Sequence, residues 1–235
     1  MLRRLPHPGR GFTQGLIVGR EMVWESTGGY GQSALRRDRL GAQRAEAEAP
    51  LPPELFAEGI CRAGAQLWQL TWRERVALRW DARRLEVLDK VPFNREGWGI
   101  CATNSSVLTS DGTSELVRRD PATLAPLGLI RVRCDGQRVS DLNDLEWAGG
   151  RVWANLFGKR YLVGIDPGSG AVTDIVDAKA VMERHWGVRE AVLNGVAALP
   201  GTGEFLLTGK GWRSMYHVRL AETGAPEQAA RLVTG

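Results

Sequence analysis

The sequence predicts an all-β fold made of five repeated four-stranded units, and three observations carry that expectation. A hydrophobic–x–polar–Gly–aliphatic pattern appears at "FTQGL" (Phe12–Leu16) and "FAEGI" (Phe56–Ile60), with similar starts at "EGWGI" (Glu96–Ile100), "LNDLEW" (Leu142–Trp147) and "LNGVA" (Leu193–Ala197). The anchors of these starts, Gly15, Gly59, Gly99, Asp144 and Gly195, lie 44, 40, 45 and 51 residues apart. Each anchor is followed by short runs rich in Val, Leu, Ile and Trp and broken by Gly, Asp and Pro, which read as antiparallel strands. Four strands in a repeat of this length is the signature of a propeller blade. Residues 1–235 are therefore expected to form a single five-bladed β-propeller domain.

The strands follow in order within each unit. The first begins at the anchor. The second is "MVWEST", "LWQLTW", "SVLTSDG", "RVWANLF" or "EFLLTGK" in successive units, and the third is "SALRRD", "VALRWD", "ELVRRD", "LVGID" or "MYHVRL". A fourth is legible in the middle units as "LEVLDKVPF", "LGLIRVRC" and "VTDIVDA". The "DPATL" and "DPGSG" segments (Asp120–Leu124 and Asp166–Gly170) carry Asp-Pro turn chemistry between strands three and four. The last unit lacks a clear fourth strand, while "LRRLPH" near the N-terminus has no unit of its own. Ring closure by that N-terminal strand joins the two facts and removes an open edge. One segment, Asp177 to Gly195, departs from the strand pattern and reads either as a helical turn or as a long loop between blades four and five.

Composition narrows the function classes. The chain of 235 residues is 43% hydrophobic and 25% charged, with net charge +4. Its arginines are scattered in short groups (Arg36–Arg37, Arg83–Arg84, Arg118–Arg119) instead of forming a basic stripe with aromatics, so no nucleic-acid surface is expected. No apolar run approaches a membrane span, and "MLRRLPHPGRG" has no apolar h-region, so neither membrane insertion nor an export signal in this chain is expected. Cys61, Cys101 and Cys134 have no C-x-x-C spacing and read as buried free thiols. His7, His185 and His217 are isolated, and no phosphate loop, dinucleotide fingerprint or serine nucleophile elbow is present. No metal or cofactor is expected, and a monomer is.

Inner strands of a propeller converge on its axis, so residues beside the anchors approach one another. These are Gln14, Glu58, Trp98, Asn143 and Asn194. The amides suit turn residues that bond nearby backbone. Glu58 fits that reading less well: an acid among Phe56, Ala57, Gly59 and Ile60 is expected to be buried, with its pKa pushed toward a range useful for proton transfer. Lys210, one of four lysines, follows an apolar strand between two glycines. It reads either as a solvated loop residue or as a cation at the channel mouth that stabilises developing negative charge.

These motifs, together with "ESTGGYGQSALR", "QLTW", "SDGTSEL", "DLNDLEW", "RVWANLF" and "TGKGW", stand in the order seen in plant-type and bacterial glutaminyl cyclases, and the resemblance spans essentially the whole chain. It implies a five-bladed propeller and glutaminyl-peptide cyclotransferase activity: an N-terminal Gln of a peptide or protein becomes pyroglutamate and ammonia leaves. By resemblance Glu58 moves the proton and Lys210 and Asn143 face the oxyanion. Trp98 is the pocket indole, and Gln14 holds substrate or Glu58. Phe157 stands where the family commonly has Trp, which keeps an aromatic face but loses an N–H donor and contact area. Fold alone does not decide function. The alternative is a non-catalytic propeller that binds peptides or acts as a scaffold. A metal-dependent propeller hydrolase would have to draw its ligands from Glu58, Asn143 and Asn194.

Overall fold

The computed structural model describes residues 1–9, 11–185, 192–220 and 226–234. A first strand, β1 (Arg3–Pro6), precedes the first blade. Blade one comprises β2 (Thr13–Val18), β3 (Met22–Thr27), β4 (Ala34–Arg39) and β5 (Ala47–Pro50). Blade two is β6 (Ala57–Ala63), β7 (Gln66–Thr71), β8 (Val76–Asp81) and β9 (Val87–Pro92), and blade three is β10 (Ile100–Ala102), β11 (Val107–Thr109), β12 (Glu115–Arg119) and β13 (Pro126–Arg131). A small hairpin, β14 (Arg133–Cys134) and β15 (Gln137–Arg138), leads to blade four: β16 (Leu142–Ala148), β17 (Arg151–Leu156), β18 (Tyr161–Ile165) and β19 (Val172–Asp177). Helix α1 (Lys179–Met182) and one 3-10 turn follow. Blade five is β20 (Leu193–Leu199), β21 (Glu204–Gly209), β22 (Ser214–Val218) and, as its outer strand, β1.

Every blade is an antiparallel meander, and the register of the closing pair runs from Arg3↔His217 to Pro6↔Ser214. The expected closure by the N-terminal strand is therefore present, and it supplies the fourth strand of blade five. Burial declines outward from the axis. The inner strands β6 and β20 begin with five consecutive buried residues, whereas the outer β13 is exposed at five of its six positions. Side chains on the blade faces interdigitate between neighbouring blades, as Trp24, Leu35, Ile60, Leu78 and Trp80 do between blades one and two. The three cysteines are buried free thiols, as their spacing suggested. The Asp120 and Asp166 carboxylates accept backbone N–H groups of their own turns, from Thr123 and Ser169 among others, which explains the Asp-Pro signals.

Three features were not read from the sequence. The fourth strand of blade one, "AEAP", has too little apolar content to announce itself. The β14–β15 hairpin turns at Asp135 and Gly136, both with positive φ (48° and 73°), an Asp-Gly signal of the two-residue type. The C-terminal segment, expected only to lack a clear strand, contains helix α2 (Pro226–Val233), whose Ala230 and Val233 pack into the cluster between blades three and four. Proline at its first position is pre-organised for a helix start. Of the segment Asp177 to Gly195, α1 and the 3-10 turn satisfy the helical-turn reading, and residues 186–191 lie outside the described residues.

Candidate active site

Four of the five inner strands open with a register shift at the anchor: between Thr13 and Gly15, Ala57 and Ile60, Leu142 and Leu145, and Leu193 and Val196. A bulge of this kind inserts an extra residue and re-aims the side chain it carries. Glycine is required where the anchors meet. A Cβ on Gly15 would lie 2.6 Å from the Ile60 nitrogen, and one on Gly59 would lie 2.5 Å from the Trp98 oxygen. The inner backbones can touch around the axis only because these side chains are missing. Blade four has Asp144 instead, and its buried carboxylate accepts the backbone N–H of Leu145 (3.1 Å) and, across the blade boundary, of Val196 (3.0 Å).

The consequence is a cavity of about 340 Å³ at one end of the axis, lined by Phe12, Gln14, Phe56, Glu58, Trp72, Trp98, Asn143, Phe157 and Lys210. All six site residues named from sequence and resemblance are among them. Phe12, Phe56 and Trp72 were not named. Phe12 and Phe56 precede Gln14 and Glu58 by two residues, the spacing that puts strand side chains on one face, so the repeat itself held that signal. Asn194 does not line the cavity; it lies beneath Gln14, fully buried.

The polar groups form a directed chain. Asn194 Nδ2 donates to the Thr13 carbonyl (2.8 Å) and to Gln14 Oε1 (3.2 Å), and Gln14 Nε2 donates to Glu58 Oε1 (3.0 Å). Lys210 makes no direct ion pair with Glu58. Its ammonium sits over the rings of Phe12 and Phe157, 4.8 and 4.9 Å from their centroids, a cation–π cradle that holds the charge without neutralising it. Trp98 and Phe157 meet edge to face at 5.5 Å. The indole nitrogens of Trp72 and Trp98 both donate to Glu96 Oε2, at 3.0 and 3.4 Å, so one carboxylate orients both indoles. Gly112 matters here too: with φ at +80°, it lies so close to Trp98 that a Cβ would sit 2.8 Å from the indole.

Burial dominates the electrostatics. It pushes the Glu58 carboxyl well above its ordinary value; the Lys210 charge opposes this, and Glu74, Asp144 and Glu96 add to it. Burial likewise lowers Lys210, against the raising influence of Glu58 and Asp144. Asp144 is raised to about 8 by burial, in spite of its two backbone donors. The expectation of a buried, upshifted acid in "FAEGI" is met. Among the described residues no group of three or more His, Cys, Asp or Glu side chains is arranged to hold a metal ion. An acid with a raised pKa, a cation held apart from it and aromatic walls are the groups that proton transfer and oxyanion stabilisation need, with little interference from water.

Comparison with known proteins agrees with this architecture. The family model for glutamine cyclotransferase matches residues 1–220. A glutaminyl-peptide cyclotransferase of Arabidopsis thaliana is 31% identical over 234 residues, covering 96% of this chain and 72% of that protein. The crystal structure of Myxococcus xanthus glutaminyl cyclase superimposes with a TM-score of 0.88 at 34% identity, covering 95% of this chain and 97% of that one. Hydrazine synthase of Kuenenia stuttgartiensis, at 14% identity and a TM-score of 0.51, shares features of the fold alone. The family model covers every residue around the cavity and the relatives cover nearly the whole chain, and the protein accordingly belongs to the glutamine cyclotransferase family and is an enzyme of that activity.

Proposed function

We propose that the substrate is a peptide or protein with an N-terminal Gln, whose side chain enters the axial cavity and cyclises there to pyroglutamate. The observation that carries this reading is the pairing of an upshifted, buried Glu58 with a Lys210 that is held on aromatic rings and not ion-paired to it. Ring closure needs one group to take a proton from the α-amine and return it to the departing nitrogen, and one group to face the oxyanion. Glu58 takes the first role. Lys210 and the Asn143 amide take the second, and Gln14 holds Glu58 in place. Trp98, Phe157 and the other rings enclose the substrate and exclude water. Attack is intramolecular and forms a five-membered ring, so enclosure in the reactive conformation lowers the barrier further. The chain acts as one domain and as a monomer in this reading.

The test is mass spectrometry of a short peptide with N-terminal Gln, together with an ammonia assay. The expected outcome is loss of one ammonia per peptide and a drop of at least about 10²-fold in turnover for Glu58→Gln, the order expected when a general acid–base group is removed. Full turnover by Glu58→Gln would remove Glu58 from its role, and no turnover by the unaltered protein would favour a peptide-binding module.

A further inference from the structure

The amide chain behind Glu58 has a direction that the atoms themselves impose. Thr13 O is a backbone carbonyl and can only accept a hydrogen bond. The Asn194 atom 2.8 Å from it must therefore be the amide nitrogen. The second hydrogen on that nitrogen meets Gln14 at 3.2 Å, which requires the Gln14 oxygen on that side. The Gln14 nitrogen is then turned toward Glu58 and donates to Oε1 at 3.0 Å. With Oε1 occupied as an acceptor, a proton on the neutral carboxyl resides on Oε2.

We propose that Asn194 is a positioning residue for the cyclisation: anchored on the Thr13 carbonyl, it sets the orientation of the Gln14 amide and thereby makes Glu58 Oε2 the oxygen that carries the proton. This rests on the reading of Glu58 as the proton carrier. In the step itself, the α-amine nitrogen bonds to the side-chain carbonyl carbon and one of its protons passes to Oε2. That proton is then delivered to the side-chain amide nitrogen as its bond to carbon breaks, so ammonia leaves and the carboxylate is restored. Asn194 never touches the reacting atoms. It is fully buried, and its own Oδ1 has no hydrogen-bond partner among the described residues. Leaving an amide oxygen unsatisfied is costly, and an apolar residue would avoid that cost. What Asn194 supplies in return is the pair of N–H donors.

The chain also has a titration consequence. An N–H donated to Glu58 Oε1 favours the ionised form. Without Asn194, the Gln14 amide is free to turn its oxygen toward Glu58, which then must be protonated to bond it. Lys210, Glu74, Asp144 and Glu96 are the other charges that act on Glu58, and each is unchanged in an Asn194 variant.

The experiment is the pH profile of kcat/KM for ammonia release from an N-terminal Gln peptide, measured for the unaltered protein, Asn194→Ala, Asn194→Leu, Gln14→Ala and the Asn194→Ala/Gln14→Ala double variant. Asn194→Leu keeps the buried volume, so a folded protein without the donors is available, and thermal melts report folding in each case. The expected result for both Asn194 variants is an acidic limb displaced upward by about one pH unit, a tenfold effect on the ionisation equilibrium. With it comes a kcat about tenfold lower and a KM within about twofold of the parent, consistent with one lost charge-assisted contact. The double variant is expected to match Gln14→Ala alone. Folded Asn194 variants with an unmoved limb, or effects that add in the double variant, would overturn the proposal. Turnover by Glu58→Gln would instead overturn the underlying assignment of the proton carrier, so the two failures are distinct.

Discussion

Burial raises the Glu58 pKa, and that has an energetic consequence separate from its proposed part in catalysis. Its folded pKa is raised, chiefly by burial. The folded state therefore binds this proton more tightly than the unfolded state does, and stability falls as pH rises above the unfolded value. Glu58→Gln keeps the shape and the bond from Gln14 and removes that penalty. The variant is expected to melt at a higher temperature than the parent at pH 8 and at a similar one at pH 4, read by calorimetry, while losing its turnover. With Glu58 as the proposed proton carrier, the same upshift is expected to place the acidic limb of the parent's kcat/KM profile above the ordinary carboxylate range, because the proton-accepting form exists only above the raised pKa. Lys210 faces the cavity from between Phe12 and Phe157. If it stabilises the oxyanion, Lys210→Ala lowers kcat by about 10²-fold and changes KM less; steady-state kinetics showing the reverse would make it a ground-state binding residue. At this scale much was legible. An acid between apolar residues and a lone Lys between glycines were visible as oddities in the chain. The role of Asp144, which the repeat offered only as a substitute for an anchor glycine, was not visible, because its partner Val196 is on another blade.

The inner strand is the element on which the site depends. Its opening bulge re-aims the polar side chain, and its anchor glycine lets the next blade's backbone approach. Gly59→Ala would press a methyl group against the Trp98 carbonyl, which itself accepts the Gly59 N–H at 2.7 Å. Relieving that contact is expected to cost roughly 1–3 kcal/mol, as overpacking does, and to displace Glu58. Urea denaturation and turnover should both register the change. Strand existence followed from the alternation of apolar runs and turns, and the glycine anchors gave the unit boundaries. Elements with weak local patterns stayed hidden. The strand Ala47–Pro50 is recognisable only by its pairing with β4, and α2 only by the cluster that receives Ala230 and Val233.

Closure decides whether five blades make a ring, and one buried ion pair sits at that seam. His7, directly after the closing strand, has its Nε2 2.9 Å from Glu25 Oε1 on blade one, and Thr13 Oγ1 donates to the same oxygen at 2.6 Å. Thr208 on blade five reaches His7 Nδ1 at 3.3 Å. Burial alone would lower the His7 pKa, but the Glu25 charge and hydrogen bond raise it; Glu25 is correspondingly lowered in spite of its own burial. The pair's contribution is therefore lost as pH rises through the folded pKa of His7, and also as pH falls through the depressed pKa of Glu25. His7→Ala leaves a buried carboxylate unpaired and is expected to cost about 3–5 kcal/mol, measured by chemical denaturation near neutral pH. A loss under about 1 kcal/mol would show that backbone pairing by β1 suffices to close the ring.

The sequence by itself determined the number of blades, the strand that closes them, the positions beside each anchor and the family, because these are written in local patterns that repeat. It placed Gln14, Glu58, Trp98, Asn143, Phe157 and Lys210 on the list of site residues, partly through a resemblance covering the whole chain. Tertiary structure alone decided how they meet. The direction of the chain from Asn194 through Gln14 to Glu58, the separation of Lys210 from Glu58 and the raised pKa of that acid all depend on groups that are tens to nearly two hundred residues apart in sequence. The physical reason is that burial and hydrogen-bond partners are properties of the assembled ring. The Glu58 carboxyl acquires its raised pKa only when five inner strands converge and remove the water around it.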